Sequence, residues 1–449
     1  MHNFQNTVML IVFALTVFFI MWRPKGINET IPTAIGAAIV LMVGIVPLTD
    51  VVTIANMISG AVITILSTIV MSIVLESIGF FRWVALHIVK RANGSGLLLY
   101  IYIIALCFLM TLFFNNDGSI LITTPILIQM MNILNLKTYQ KIPFLLSGAI
   151  IATAASAPIA VSNIANLIAL KIVGLDINGY VKMMFVPSMI GIMTIALLLY
   201  WYFKKDIPRN ISIIANHFSS HSNFFDRPHQ ELKNDSTVDW QLFKICISIV
   251  IITRGSFFLF SPLGIPIEWV AVIGAVLLAA IRMYKTREGI SDIIKNTPWH
   301  IFIFAFGMYV LVYGLRNVGL TNFLVDLLEE TVASDPFHAS LTMGMLLTVM
   351  SNLFNNLPAV MIGTLTLIDM NIDLNTLQIS YLAAVIGSDI GALLTPIGTL
   401  ATLIWMFTIR KHGIPFTWSQ YVKVTLLVVP IGLIVSLLCL YFWFEWLFL

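Results

Sequence analysis

Apolar runs of about twenty residues, separated by short polar clusters, fill almost the whole chain. That length is what an α-helix needs to cross a hydrocarbon layer about 30 Å thick. The pattern predicts spans near 8–22, 30–46, 58–80, 142–172 and 181–203, then near 242–260, 267–284, 299–315, 377–409 and 421–447. Two further apolar segments, 97–136 and 338–368, are interrupted by paired asparagines: Phe114-Asn115-Asn116-Asp117-Gly118 and Phe354-Asn355-Asn356-Leu357-Pro358. Polar, helix-ending tips do not belong in a lipid-facing helix, because hydrocarbon cannot satisfy the freed backbone groups.

The two tips stand 240 residues apart, and other short matches recur at nearly the same offset. Ala34-Ile35-Gly36-Ala37 answers Val272-Ile273-Gly274-Ala275, Leu75 and Gly79 answer Leu315 and Gly319, and Ala165, Leu167 and Ile168 answer Ala401, Leu403 and Ile404. An ordered set at a nearly fixed offset points to an internal duplication, the plan of many membrane transporters. The halves are 1–203 and 241–449, joined by the long polar stretch 204–240.

Composition agrees with a polytopic membrane protein: 59% of the 449 residues are hydrophobic and 10% charged, with a mean hydropathy of +0.97. The N-terminus lacks basic residues and a small-residue cleavage site, so the first apolar run reads as a retained span. With the N-terminus outside and both Asn-Asn segments as re-entrant hairpins, nearly every Lys and Arg falls on the cytoplasmic side, leaving Lys171, Lys182 and Arg316 outside and Arg254 within a span. If each hairpin segment crossed once, the basic residues would divide almost evenly, against the positive-inside rule. The expectation is therefore an all-α multi-pass protein of the cell membrane. It has two inverted repeats of five spans each, two re-entrant hairpins and two broken helices at the centre.

The broken helices follow the hairpins. One contains Ser156-Ala157-Pro158 and Ser162-Asn163-Ile164-Ala165-Asn166; the other contains Gly387-Ser388-Asp389-Ile390-Gly391 and Thr395-Pro396-Ile397-Gly398-Thr399. Pro and Gly interrupt a helix, while Ser, Thr and Asn can bond the freed backbone. Candidate substrate-binding residues are Asn115, Asn116, Gly118, Ser162, Asn163, Asn166, Asn355, Asn356, Thr395, Gly398 and Thr399. Asp117 and Asp389 are the proton-coupling candidates, since intramembrane acids are costly and commonly functional. The plainer alternatives are that Asp117 caps the second hairpin arm and that Asp389 holds its own unwound backbone. Glu76, Arg254 and His300 read as snorkelling or interfacial residues, with Arg254 the deepest in its run.

No phosphate-binding loop, His-Glu-x-x-His or nucleophile elbow is present, so the reading is a transporter and not an enzyme. No cofactor, resident metal or nucleic-acid partner is expected. The single cysteines Cys107, Cys246 and Cys439 have no ligand or disulfide spacing. Neither do His217, His221 and His229 of the connector, which reads as a solvated linker.

At these residues the chain resembles the ArsB arsenite efflux pumps, within a superfamily that includes NhaD sodium/proton antiporters and dicarboxylate symporters. The resemblance runs from Trp22-Arg23-Pro24-Lys25-Gly26 through Glu76-Ser77-Ile78-Gly79-Phe80-Phe81, Val161-Ser162-Asn163, Pro298-Trp299 and Gly307-Met308-Tyr309 to Gly387–Gly391 and Thr395–Leu403. It implies export of arsenite and antimonite in exchange for protons, sometimes assisted by a soluble ArsA-type ATPase. The alternative is a sodium/proton antiporter, or a carrier of another small inorganic or carboxylate anion, on the same scaffold. Two positions depart from the family pattern. Ala392-Leu393 follow Gly391 where the family usually has Pro-Lys, and Asn115 stands where it usually has Ala.

Overall fold

The computed structural model describes residues 2–23, 27–211, 239–287 and 289–448, which are all-helical apart from turns and connections. The first half contains α1 (His2–Trp22), α2 (Thr30–Met42), α3 (Leu48–Ser77), α4 (Phe80–Ala92), α5 (Gly96–Phe114), α6 (Asn116–Ile133), α7 (Thr138–Ala154), α8 (Ile164–Val173) and α9 (Ile177–Phe203). The second contains α10 (Trp240–Phe260), α11 (Ile267–Thr286), α12 (Ser291–Asn296), α13 (His300–Asn317), α14 (Leu320–Ser334), α15 (Pro336–Phe354), α16 (Asn356–Asp369), α17 (Leu374–Asp389), α18 (Leu400–Lys411) and α19 (Trp418–Phe448). Most of the connector, with His217, His221 and His229, lies outside the described residues, as do Pro24, Lys25 and Gly26.

Among the described residues, ten helical segments are long and apolar enough to cross a membrane, which makes this a multi-pass membrane protein. They are not the same ten segments that the apolar pattern predicts. The first arms of the two Asn-Asn segments, Gly96–Phe114 and Pro336–Phe354, qualify by length and composition. Conversely α2 has only 13 residues, about 20 Å at 1.5 Å per residue, because a turn around Gly44 (φ +73°) ends the helix early. The stretch 142–172 breaks into α7 and α8 around a short 3₁₀ turn at Ala160–Ser162.

Three elements, α4, α12 and α14, were not foreseen. α4 and α14 each follow a left-handed glycine, Gly79 (φ +81°) and Gly319 (φ +92°), which turns the chain sharply after α3 and α13 without a Cβ penalty. Both are amphipathic, with mixed polarity that falls below the pattern of a span. α4 carries Arg82, Lys90 and Arg91, whereas α14 carries Asp326, Glu329 and Glu330 and no basic residue.

The halves interlock. α2 packs along α13, and α11 packs along α3, so the second helix of each half lies against a long helix of the other. α15 and α17 form another tight pair, where a Cβ on Gly387 would lie 2.2 Å from the Gly344 carbonyl oxygen. Close backbone approach of this kind lets helices associate by packing alone, in a medium that offers no hydrophobic drive.

Candidate functional site

Both Asn-Asn tips are helix breaks of one design. Asn115 and Asn355 have positive φ, 116° and 80°, with ψ of 166° and 154°, a backbone region otherwise almost confined to glycine. Each donates its N–H back into the first arm, to Thr111 O (3.1 Å) and Ser351 O (2.9 Å). Each then caps the second arm: Asn115 Oδ1 accepts from Gly118 N at 2.7 Å, and Asn355 Oδ1 from Leu357 N at 3.4 Å. Asn116 Oδ1 accepts from Asp117 N at 2.8 Å. Asn115, Asn116, Asn355 and Asn356 are all buried.

The second tip is stitched to the broken helix of its own half. Asn355 Nδ2 donates to Ile397 O (3.3 Å) and Asn356 N to Gly398 O (2.9 Å). Asn352, one turn earlier, donates to Gly391 O (2.9 Å) and accepts from both N and Oγ1 of Thr395 (2.8 Å each). Gly398 is obligatory here, since a Cβ would stand 1.9 Å from the Ala392 carbonyl oxygen. Thr399 caps α18, accepting from Thr402 N at 3.1 Å. Thr395, Gly398 and Thr399 therefore serve backbone closure of the second break. Sequence reading passed over Asn352, although an amide inside the apolar run Thr348–Phe354 was the available signal.

Asp389 lies at the C-terminal end of α17, fully buried. Its bonds cross to the first half. Oδ1 accepts from Asn163 Nδ2 (2.8 Å), and Oδ2 accepts from Asn166 Nδ2 (2.6 Å) and Ser156 Oγ (2.8 Å). Asn163 is held for this by its own N-cap role, its Oδ1 accepting from Ala165 N at 3.0 Å. Tyr381 Oη reaches Asn166 O at 2.9 Å and Tyr180 Oη reaches Ala157 O at 2.6 Å, fastening the unwound stretch from both halves. Among the described residues no Lys or Arg bonds to Asp389.

Ser156 has one hydroxyl proton and two acceptors in range, Asp389 Oδ2 and Thr153 O at 2.7 Å. With Asp389 ionised, Ser156 donates to the carboxylate. With a proton on Oδ2, the acid can donate to Ser156 Oγ while Ser156 donates to Thr153 O. One hydroxyl thus suits both protonation states. Ser162 Oγ and Asn166 Oδ1 are buried without a hydrogen-bond partner, leaving acceptors at the heart of the interface.

The structure thus brings Asp389 together with Asn163 and Asn166, adding Ser156, and gathers Asn355, Asn356, Thr395 and Gly398 at a second knot. Asp117, on the first tip, takes part in neither knot, and its carboxylate accepts no hydrogen bond from a described residue. The second hairpin arm of each half packs on the distal segment of the other half's broken helix, α6 on α18 and α16 on α8. The carboxyl groups sit within that crossed arrangement. An apolar concavity of about 290 Å³ between α1 and α2, lined by residues such as Phe19, Ile31 and Ile35, lies elsewhere and offers almost no polar surface. Cys107, Cys246 and Cys439 are free and stand on three separate helices.

A family model described as "Arsenical pump membrane protein" matches residues 8–444. A putative arsenical pump membrane protein of Bacillus subtilis (strain 168) is 47% identical over 98% of this chain and 100% of its own length. An arsenical pump membrane protein of Escherichia coli is 32% identical over 92% of this chain and 93% of its own. One from Escherichia coli (strain K12) is 31% identical over 96% and 97%.

Proposed function

We propose, from the premise that the chain belongs to the arsenical pump membrane protein family, that it exports arsenite and antimonite from the cytoplasm in exchange for protons. The observation that carries the coupling is Asp389: an acid buried between the halves, bonded by three neutral donors and no cation. Such an acid is not spent on a structural ion pair, and Ser156 gives it a partner in either protonation state. Asp117 is the second coupling group, partly buried at the first tip.

Arsenous acid is a small uncharged trihydroxy species, and antimonous acid is its analogue. Short amides and hydroxyls can both donate to and accept from such a molecule. Asn115, Asn116 and Gly118 from the first tip, Asn355 and Asn356 from the second, and Ser162, Asn163, Asn166, Thr395, Gly398 and Thr399 from the breaks are the pocket of this reading. The unpartnered oxygens of Ser162 and Asn166 are the acceptors free to meet its O–H groups.

The reading includes inversion of the halves, 1–203 against 241–449. The basic α4 and the base-free α14, which follow corresponding turns, favour opposite faces under the positive-inside rule. Cysteines introduced at Lys137 and Asn371 should label from opposite sides of the membrane; labelling from one side ends the inverted arrangement.

The decisive experiment is arsenite uptake into everted vesicles energised by a proton gradient, for wild type and Asp117→Asn. Gradient-dependent uptake that the variant loses supports substrate and coupling together. Sodium/proton exchange in place of arsenite uptake by wild type moves the chain to the antiporter alternative.

A further inference from the structure

The two hairpin tips share a design but not an anchor. The second is tied to its own half through Asn352, Asn355 and Asn356. In the first hairpin the position equivalent to Asn352, 240 residues earlier, is Leu112. Among the described residues its tip amides accept only from their own neighbours, Gly118 N and Asp117 N. One turn back, Thr111 Oγ1 donates to Ala152 O at 2.8 Å, and beyond that α5 ends with free carbonyls.

Phe113 O is one of these, because the break at Asn115 removes the N–H that would have continued the ladder. Arg254 of α10 fills the vacancy. Its Nε donates to Phe113 O at 2.7 Å and its Nη2 donates to the same oxygen. Arg254 is buried, and its guanidinium lies over the Phe257 ring, 5.4 Å from its centroid. Among the described residues no carboxylate pairs with it. A cation in a span is costly, and here it is spent on one backbone oxygen two residues before Asn115. A positive charge also suits the negative end of a helix dipole.

The corresponding contact on the other side is apolar. α1, the counterpart of α10, meets the second hairpin through Phe13 on Phe354, with ring centroids 5.6 Å apart. We infer that Arg254 is a positioning residue that fixes the Asn115–Asp117 tip from the opposite half, doing for the first hairpin what Asn352 does for the second. The clamp also makes the first tip answer to the position of the second half. This rests on the proposed transport role for that tip, and the test separates the two.

Hydrogen exchange over residues 109–121 and arsenite transport kinetics would be measured for wild type, Arg254→Met and Arg254→Lys. Anchoring predicts faster exchange at 113–119 in the Met variant, with the Lys variant between. Positioning predicts that KM for arsenite rises about tenfold in the Met variant, with maximal rate per folded molecule less affected and Lys restoring most of the difference. Unchanged exchange at 113–119 overturns the clamp. Faster exchange with unchanged KM overturns the positioning role. If wild type carries no arsenite, the transport reading fails while exchange still decides the clamp. Should the Met variant not fold, the Lys variant alone decides, because its single donor replaces a fork and must loosen the tip measurably.

Discussion

Replacing Asp389 by asparagine removes the charge while keeping the shape, and the geometry states what this costs. One oxygen survives as an acceptor. It retains most at the Oδ2 position, where Asn166 and Ser156 converge, which turns the new NH₂ toward Asn163 Nδ2. Asn163 cannot flip to meet it without abandoning Ala165 N. The expected loss is one hydrogen bond to a charged group, about 1.5–3 kcal/mol, or about 10- to 100-fold in the population of this interlocked arrangement. Transport in everted vesicles should lose proton-driven arsenite accumulation, while arsenite counterflow, which moves no net proton, persists. Because the conflict is between two donors, Asn163→Ser, which keeps a cap but removes the amide, should cost little extra in the Asp389→Asn background. That non-additivity is readable in a double-mutant cycle of thermal stability. Wild-type accumulation against a gradient by Asp389→Asn would refute the coupling role. Additive losses in the cycle would refute the donor conflict.

Ser156→Ala removes the group that can face both forms of Asp389; the pH profile of arsenite uptake should change shape, and stability should fall by about 1.5–3 kcal/mol where Asp389 is ionised, since its carboxylate then keeps only the amides of Asn163 and Asn166. Gly398→Ala drives a Cβ against the Ala392 carbonyl and should destabilise the protein by about 1–3 kcal/mol, seen as a lower melting temperature in detergent and loss of uptake. At the exposed start of α17, bonds from the Thr376 hydroxyl and backbone hold the Asp373 carboxyl below its usual range. That depressed value means its capping is fully present above the ordinary carboxylate pKa of about 3.9 and is lost as pH falls through the folded value. Asp373→Ala should therefore cost about 1 kcal/mol or less near neutrality, and nothing in an acid melt.

The parts legible in the sequence were those whose physics is local. A paired amide inside an apolar run has to end a helix, and Asn115 and Asn355 do so. Pro158 and Pro396, with their flanking Ser, Thr and Asn, announced the two breaks. What escaped was set by distance. Nothing near Ser156 points to a partner 233 residues away, and nothing near Arg254 reveals that its partner is a backbone oxygen freed by a break in another helix. α4 and α14 escaped for a different reason: a mixed-polarity helix of 13 or 15 residues has neither the length nor the purity of a span. α2 was read too long because its apolar pattern continues past the turn that stops it.

On the proposed transport role, the asymmetry between the halves bears on how movement acquires a direction. If both tips were tied to their own breaks by equivalent amides, each half would close on itself, and the two could move without sensing one another. Here, among the described residues, only the second hairpin's tip amides bond to the break of their own half. The first half's break is held by Asp389 from the second, and its hairpin tip by Arg254, also from the second. Both unsatisfied ends of the first half are thus completed by charged side chains of its partner, one negative and one permanently positive. A proton can neutralise the first and not the second. On the proposed coupling role, loading Asp389 weakens one of these ties and leaves the other in force, so that a proton taken up there changes which part of the first half follows the second.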